Sequence, residues 1–257
     1  MFLKQIVAYK QNEIKHLEQT ITPEIKEKTL LLPAGRPFAE ALQKDHLTLI
    51  AEVKPASPSR GVIKDQVDPV QTARMYEEGG AQCISVLTEQ NWFKGKPEYL
   101  TAVKQQTSIP ILRKDFIVDP LQVIESKRLG ADAILLIVSL LTPQTLHDLI
   151  TLAHQLRMEV LVEVHSLEEV EVANESKADV LGINNRDLQL LTTDLGHTER
   201  IFPFLNSDRP ILAESGIHSI KDAIRMRRAG VDGVLVGEFL MRQSSPTATV
   251  AEIVQVK

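Results

Sequence analysis

The sequence predicts an α/β fold: one closed (β/α)8 barrel, the TIM-barrel architecture, with an extra N-terminal helical segment. Three observations carry that expectation. Four times a helical stretch runs into a small-residue turn and then an apolar burst that stops at polar side chains, at residues 79–89, 129–139, 176–185 and 228–238. Consecutive Val, Ile and Leu positions are what a parallel strand covered on both faces requires. The same rule finds four further runs, at 47–54, 109–116, 158–164 and 209–217, with connections long enough to hold a helix each. The chain has 257 residues, close to the ~250 typical of an eight-stranded barrel. Residues 1–257 are therefore expected to form a single barrel domain, with 1–45 as an extension packed on it.

The extension comes first. Phe2, Leu3, Ile6, Val7, Lys10, Ile14 and Leu17 recur at helical spacing, which predicts an amphipathic helix serving as a bottom plug or a lid. Its polar face, Lys4, Lys10, Glu13, Lys15 and Glu18, mixes signs and argues against an anionic membrane surface. After the first strand, 55–61 is a long loop limited by Pro55 and Pro58, expected to fold over the mouth. Helices then open at Asp68-Pro69, Asp119-Pro120, Thr142-Pro143 and near Ser219. A side-chain oxygen there caps free N–H groups, and a proline at the first helical position gives up no bond. Cys83 lies inside the second strand and reads as a small core side chain.

Composition narrows the function. Net charge is −5 with acids and bases interspersed, so no nucleic-acid partner is expected. With no apolar run of ~18 residues, no leader and one cysteine, the expected setting is cytoplasmic and away from membranes.

In a barrel the C-terminal ends of all strands point at one crevice. Side chains alternate faces, so Glu52 with Lys54, Leu161 with Glu163, Gly182 with Asn184, and Ala213 with Ser215 are expected to share inward faces, and Lys114 ends the third strand likewise. Charges at such positions are costly unless they pair or work on a ligand. Two lysines and two glutamates facing each other would tune one another's pKa. Gly216 after the seventh strand, and Gly237-Glu238 opening a short helix after the eighth, predict a phosphate cradle built from backbone N–H groups, with the Glu238 carboxylate turned away. Ser57 is expected as a further donor to that phosphate. His147 and His154 lack partners at ligand spacing, so no metal site is expected; His165, two residues after Glu163, is expected to support it from behind.

Seven segments stand out, in order: Glu52-Val53-Lys54-Pro55-Ala56-Ser57-Pro58-Ser59, Ser85-Val86-Leu87-Thr88-Glu89, Arg113-Lys114-Asp115-Phe116-Ile117, Leu161-Val162-Glu163-Val164-His165, Gly182-Ile183-Asn184-Asn185-Arg186-Asp187-Leu188, Ala213-Glu214-Ser215-Gly216-Ile217 and Val236-Gly237-Glu238. Together they resemble the indole-3-glycerol-phosphate synthase family of tryptophan biosynthesis. The likeness spans nearly the whole chain; Lys96-Pro97 in the second loop departs from the family pattern.

The resemblance implies ring closure of 1-(2-carboxyphenylamino)-1-deoxyribulose 5-phosphate with loss of carbon dioxide and water, and no cofactor. It implies Lys114 as general acid, its pKa lowered by neighbouring Lys54, and Glu163 or Lys54 as base or acid in the dehydration. Glu52 would orient the lysines, and Asn184 would hydrogen-bond the same region. Lys54 and Arg186 would hold the substrate carboxylate. Phe93, Phe116, Leu135 and Leu188 would line an aromatic slot with Pro58 above, and Ser57, Ser215, Gly216, Gly237 and Glu238 would hold the phosphate. The partner is a small phosphorylated substrate, and the chain is expected to be a monomer or weak homodimer. The rival readings are an isomerase or Schiff-base aldolase using Lys114 or Lys54 as an amine, and a non-catalytic scaffold barrel.

Overall fold

The computed structural model describes residues 2–188, 190–206 and 208–257. The side chains of Phe2, Leu3 and Lys4, counted in the N-terminal pattern, lie outside the described ones. The strands are β1 (Thr48–Val53), a two-stranded antiparallel hairpin β2 (Ala56–Ser57) and β3 (Gly61–Val62), then β4 (Cys83–Leu87), β5 (Ile111–Lys114), β6 (Ala133–Ile137), β7 (Glu159–Val164), β8 (Val180–Asn184), β9 (Ile211–Glu214) and β10 (Gly233–Val236). Apart from the hairpin they form a closed parallel barrel in sequence order, β10 pairing back onto β1. Each falls inside one of the eight expected apolar runs.

The core has the two layers that this architecture demands. Ile50, Cys83, Leu112, Ala133, Leu135, Leu161, Val180, Leu212 and Leu235 fill the interior, while alternate strand residues such as Leu49, Ile84, Ile134, Val160 and Ala213 pack under the helices. Cys83 is buried there, and burial pushes its thiol well up, as befits an inert core side chain. Helix starts follow the capping chemistry. Asp68, Asp119, Thr142 and Ser219 each accept from a backbone N–H of the first turn, and the first three are followed by proline. Pro97, part of the departure in the second loop, also begins a helix, Pro97–Gln106.

The N-terminal segment reaches both ends of the barrel. Phe38 and Leu42 are buried in the interior cluster, and the backbone N–H groups of Phe38 and Ala39 donate to Glu159 at the start of β7 (2.9 and 2.6 Å). That closes the bottom. Helix Phe2–Thr20 instead reaches the opposite end, where Lys10 Nζ lies 2.7 Å from Asp115 Oδ1, immediately after β5, and Tyr9 meets Trp92 edge to face.

Three local expectations are corrected. Lys10 belongs to the buried face and not the polar one: it is fully buried between Asp115 and Glu13, because a lysine stem packs as apolar surface once its ammonium finds carboxylates. Residues 55–61 are a tight hairpin rather than an open loop, its short ladder closing at Ser57↔Gly61 with Gly61 at φ +65°. In β9 the inward residues are Leu212 and Glu214, not Ala213 and Ser215; Glu214 pairs in register with inward Asn184, and Ala213 packs under the helices.

Candidate active site

The C-terminal strand ends converge on two adjoining cavities. The first, about 540 Å³, is lined by Glu52, Lys54, Leu87, Glu89, Phe93, Lys114, Asp115, Phe116, Leu135, Ile137, Glu163, Asn184, Arg186, Leu188 and Ser215. The second, about 420 Å³, shares Glu52, Lys54, Lys114, Arg186 and Ser215 and adds Gly216, Ile217, His218, Leu235, Val236, Gly237 and Glu238. Most of the expected site residues therefore meet. Ser57 and Pro58 line neither cavity: the hairpin turns Ser57 inward, within 3.5 Å of Ser59, and it is Ser59 that accepts from Arg186 (2.6 Å).

At the floor Lys114, the last residue of β5, donates to Glu163 Oε2 (3.1 Å) and Glu214 Oε2 (2.6 Å). Lys54 Nζ lies 3.1 Å from Glu52 Oε1. The cluster therefore holds three glutamates against two lysines, one acid more than expected. Room for the third comes from glycine: a Cβ on Gly182 would collide with the Glu214 carboxylate, and one on Gly237 with that of Glu52.

This crowding sets the charges. Burial alone would lower Lys114, but Glu163, Glu214 and Glu52 outweigh it and hold the ammonium well above its ordinary range. The expectation that Lys54 lowers Lys114 is thus overturned by the carboxylates closer to it. Burial would raise Glu163, yet Lys114, His165 and Asn184 keep it ionised far below the usual carboxylate range. Glu214 goes the other way. Burial first, and the Glu163 charge beside it, push it up to about 8, since carboxylates sharing one cation cannot all ionise easily. Arg186 is half-buried and lowered by that burial.

The walls differ in character. Phe93 and Phe116 stand 6.0 Å apart at 44°, and Lys54 Nζ lies 5.6 Å over the Phe93 ring. Glu89, fully buried, fixes that wall by accepting from the N–H groups of Asn91, Trp92 and Phe93 (2.8, 2.8 and 2.9 Å). On the far side Ser215 (φ +64°) and Gly216 (φ +80°) turn the backbone back under the mouth. The Glu238 carboxylate faces Arg242 (3.1 Å) and Arg60 (3.6 Å). His165 lies behind Glu163, its Nε2 3.2 Å from Oε1. His154 pairs with Asp179 (2.8 Å), and no metal-holding cluster occurs among the described residues.

Sequence reasoning missed Glu214 and Glu89 as site groups. An acid ending an apolar strand run was the available signal for both. The sequence model of the indole-3-glycerol phosphate synthase family matches residues 3–253. The chain belongs to the indole-3-glycerol phosphate synthase family. An indole-3-glycerol phosphate synthase of Geobacillus kaustophilus is 46% identical over 250 residues, covering 94% of this chain and 92% of its own. That of Acetivibrio thermocellus is 44% identical over 256 residues, covering 98% of each. The activity is that of the family, a carboxy-lyase step of tryptophan biosynthesis acting on a phosphorylated small molecule. Among solved structures, orotidine 5'-phosphate decarboxylase of Pyrococcus horikoshii aligns at TM-score 0.61 and 16% identity, over 80% of this chain and 97% of that one, a likeness of fold. No helix among the described residues is long and apolar enough to cross a membrane.

Proposed function

We propose that the chain makes indole-3-glycerol phosphate by closing the ring of 1-(2-carboxyphenylamino)-1-deoxyribulose 5-phosphate in the cavity over Lys114, by lysine and glutamate acid–base chemistry without a cofactor. The observation that carries this is Lys114 held between Glu163 and Glu214, with an aromatic wall on one side and the Gly216 and Gly237 loops on the other. The substrate ring fits against Phe93, Phe116, Leu135 and Leu188, its carboxylate near Lys54 and Arg186. Its phosphate meets backbone N–H groups of Ser215, Gly216, Gly237 and Glu238. Lys114, kept protonated by its neighbours, delivers a proton to the ketone oxygen as the electron-rich ring carbon attacks. Carbon dioxide then leaves. Glu163, ionised, suits removal of the carbon-bound proton in the dehydration; Lys54 is the remaining acid for the departing hydroxyl, with Glu52 and Asn184 orienting both. The chain works as a monomer or weak homodimer in the cytoplasm, without nucleic acid or membrane.

Incubation of the protein with that substrate should give the rise of indole fluorescence, and its absence would remove the reading. Borohydride added during turnover should leave Lys114 and Lys54 unmodified; a trapped covalent lysine adduct would favour the Schiff-base alternative.

A further inference from the structure

The turn on the phosphate side of the mouth is strained. Ser215 (φ +64°) and Gly216 (φ +80°) are consecutive left-handed residues, and serine, unlike glycine, is disfavoured there by its own Cβ. Such a backbone persists only where its surroundings over-determine it. The group that holds this one lies outside both substrate cavities.

Asn185 sits between Asn184 and Arg186, which both line the substrate cavity, yet it lines neither of the two site cavities and is only 3% exposed. Its Nδ2 donates to the Ser215 carbonyl (3.2 Å), and among the described residues it is the one side chain that donates to residues 215–217. Its Oδ1 accepts from the Thr198 N–H (3.0 Å) and the Thr198 hydroxyl (2.8 Å), in the helix Gly196–Ile201. A backbone N–H can only donate, so the amide oxygen must face Thr198 and the amide nitrogen is left to face Ser215. The main chain of Asn185 is fastened as well, its N–H donating to the Glu214 carbonyl (2.8 Å) and its carbonyl accepting from the Asp194 N–H (3.0 Å). Gly216 rests on the same segment: a Cβ there would stand 3.2 Å from the Leu195 side chain and 3.5 Å from that of Thr193.

We propose that Asn185 is the positioning residue of the phosphate cradle: it clasps the Ser215–Gly216 turn to the helix Gly196–Ile201 and so aims the backbone N–H groups of that turn at the substrate phosphate. An array of donors already fixed before the anion arrives loses no freedom on binding it. The phosphate takes no part in the bonds made and broken, and it is held alike from substrate to product. The clasp therefore acts on binding and not on the chemical step.

The inference rests on the proposed phosphate site, so wild-type protein is titrated first with inorganic phosphate by calorimetry; an absence of binding there removes the cradle and the clasp with it. Asn185→Ala and Asn185→Ser are titrated in the same way and assayed with 1-(2-carboxyphenylamino)-1-deoxyribulose 5-phosphate. The serine variant keeps a hydroxyl but lacks the amide N–H that holds Ser215, and it carries the test where the alanine variant fails to fold. The clasp predicts phosphate binding weaker by about tenfold, KM higher by a similar factor and kcat within about twofold of wild type. Wild-type phosphate affinity in either folded variant overturns it. A fall in kcat at unchanged KM overturns it too, since that is the mark of a protein merely losing its active fraction. Wild-type protein that binds phosphate but makes no indole product refutes the reaction and leaves the clasp to be judged by the titrations.

Discussion

At the scale of single residues, the site is a contest between burial and neighbours. Glu163 and Glu214 share one ammonium, and the outcome is one ionised carboxylate and one carboxyl that holds its proton to about pH 8. Above that pH Glu214 ionises, tightens its grip on Lys114 and adds repulsion toward an anionic substrate. A profile of kcat/KM against pH should therefore fall on the alkaline side near 8, and Glu214→Gln should flatten that limb while keeping activity near pH 7 within about tenfold. An unchanged limb would assign it elsewhere. Most of this chemistry was legible as charged or polar strand ends: Glu52, Lys114, Glu163 and Asn184 all line the mouth as expected. Glu214 is less so, because the alternation that would turn Ala213 and Ser215 inward does not extend to Ser215, which lies beyond the strand in a left-handed turn (φ +64°).

At the scale of elements, neighbouring strands supply one another's space. Gly182 pairs in register with Glu163 on one side and Leu212 on the other, and its missing side chain admits the Glu214 carboxylate. Gly182→Ala should cost about 1–3 kcal/mol by overpacking and lower turnover by pushing Glu214 off Lys114. Equal stability and turnover by urea titration and kinetics would contradict this close fit. Elements built on periodicity and caps were readable: the eight runs and the helix starts at Asp68, Asp119, Thr142 and Ser219. The β2–β3 hairpin was hidden, since two residues per strand leave no periodic pattern to detect.

At the scale of the whole molecule, the N-terminal segment is joined to the catalytic end by a buried ion pair. Burial would raise Asp115, but Lys10 and Arg113 bring it down to about 2. A depressed carboxyl contributes stability that is fully present above the unfolded value near 4 and is lost as pH falls toward 2, here about 2 kcal/mol. Acid unfolding should show that loss in this window. Lys10→Met, which leaves Asp115 buried without its amine, should destabilise by about 3 kcal/mol in urea, and a change below about 1 kcal/mol would show the pair to be dispensable. The same geometry sets Asp115 directly after Lys114, so the N-terminal helix and the proposed proton donor meet at one strand end. The central claim, that this ammonium is the proton donor of ring closure, is tested most directly by steady-state kinetics of Lys114→Ala on the carboxyphenylamino-deoxyribulose phosphate. The account predicts kcat lower by about 100-fold or more with substrate affinity far less affected; weakened affinity at unchanged kcat would contradict it.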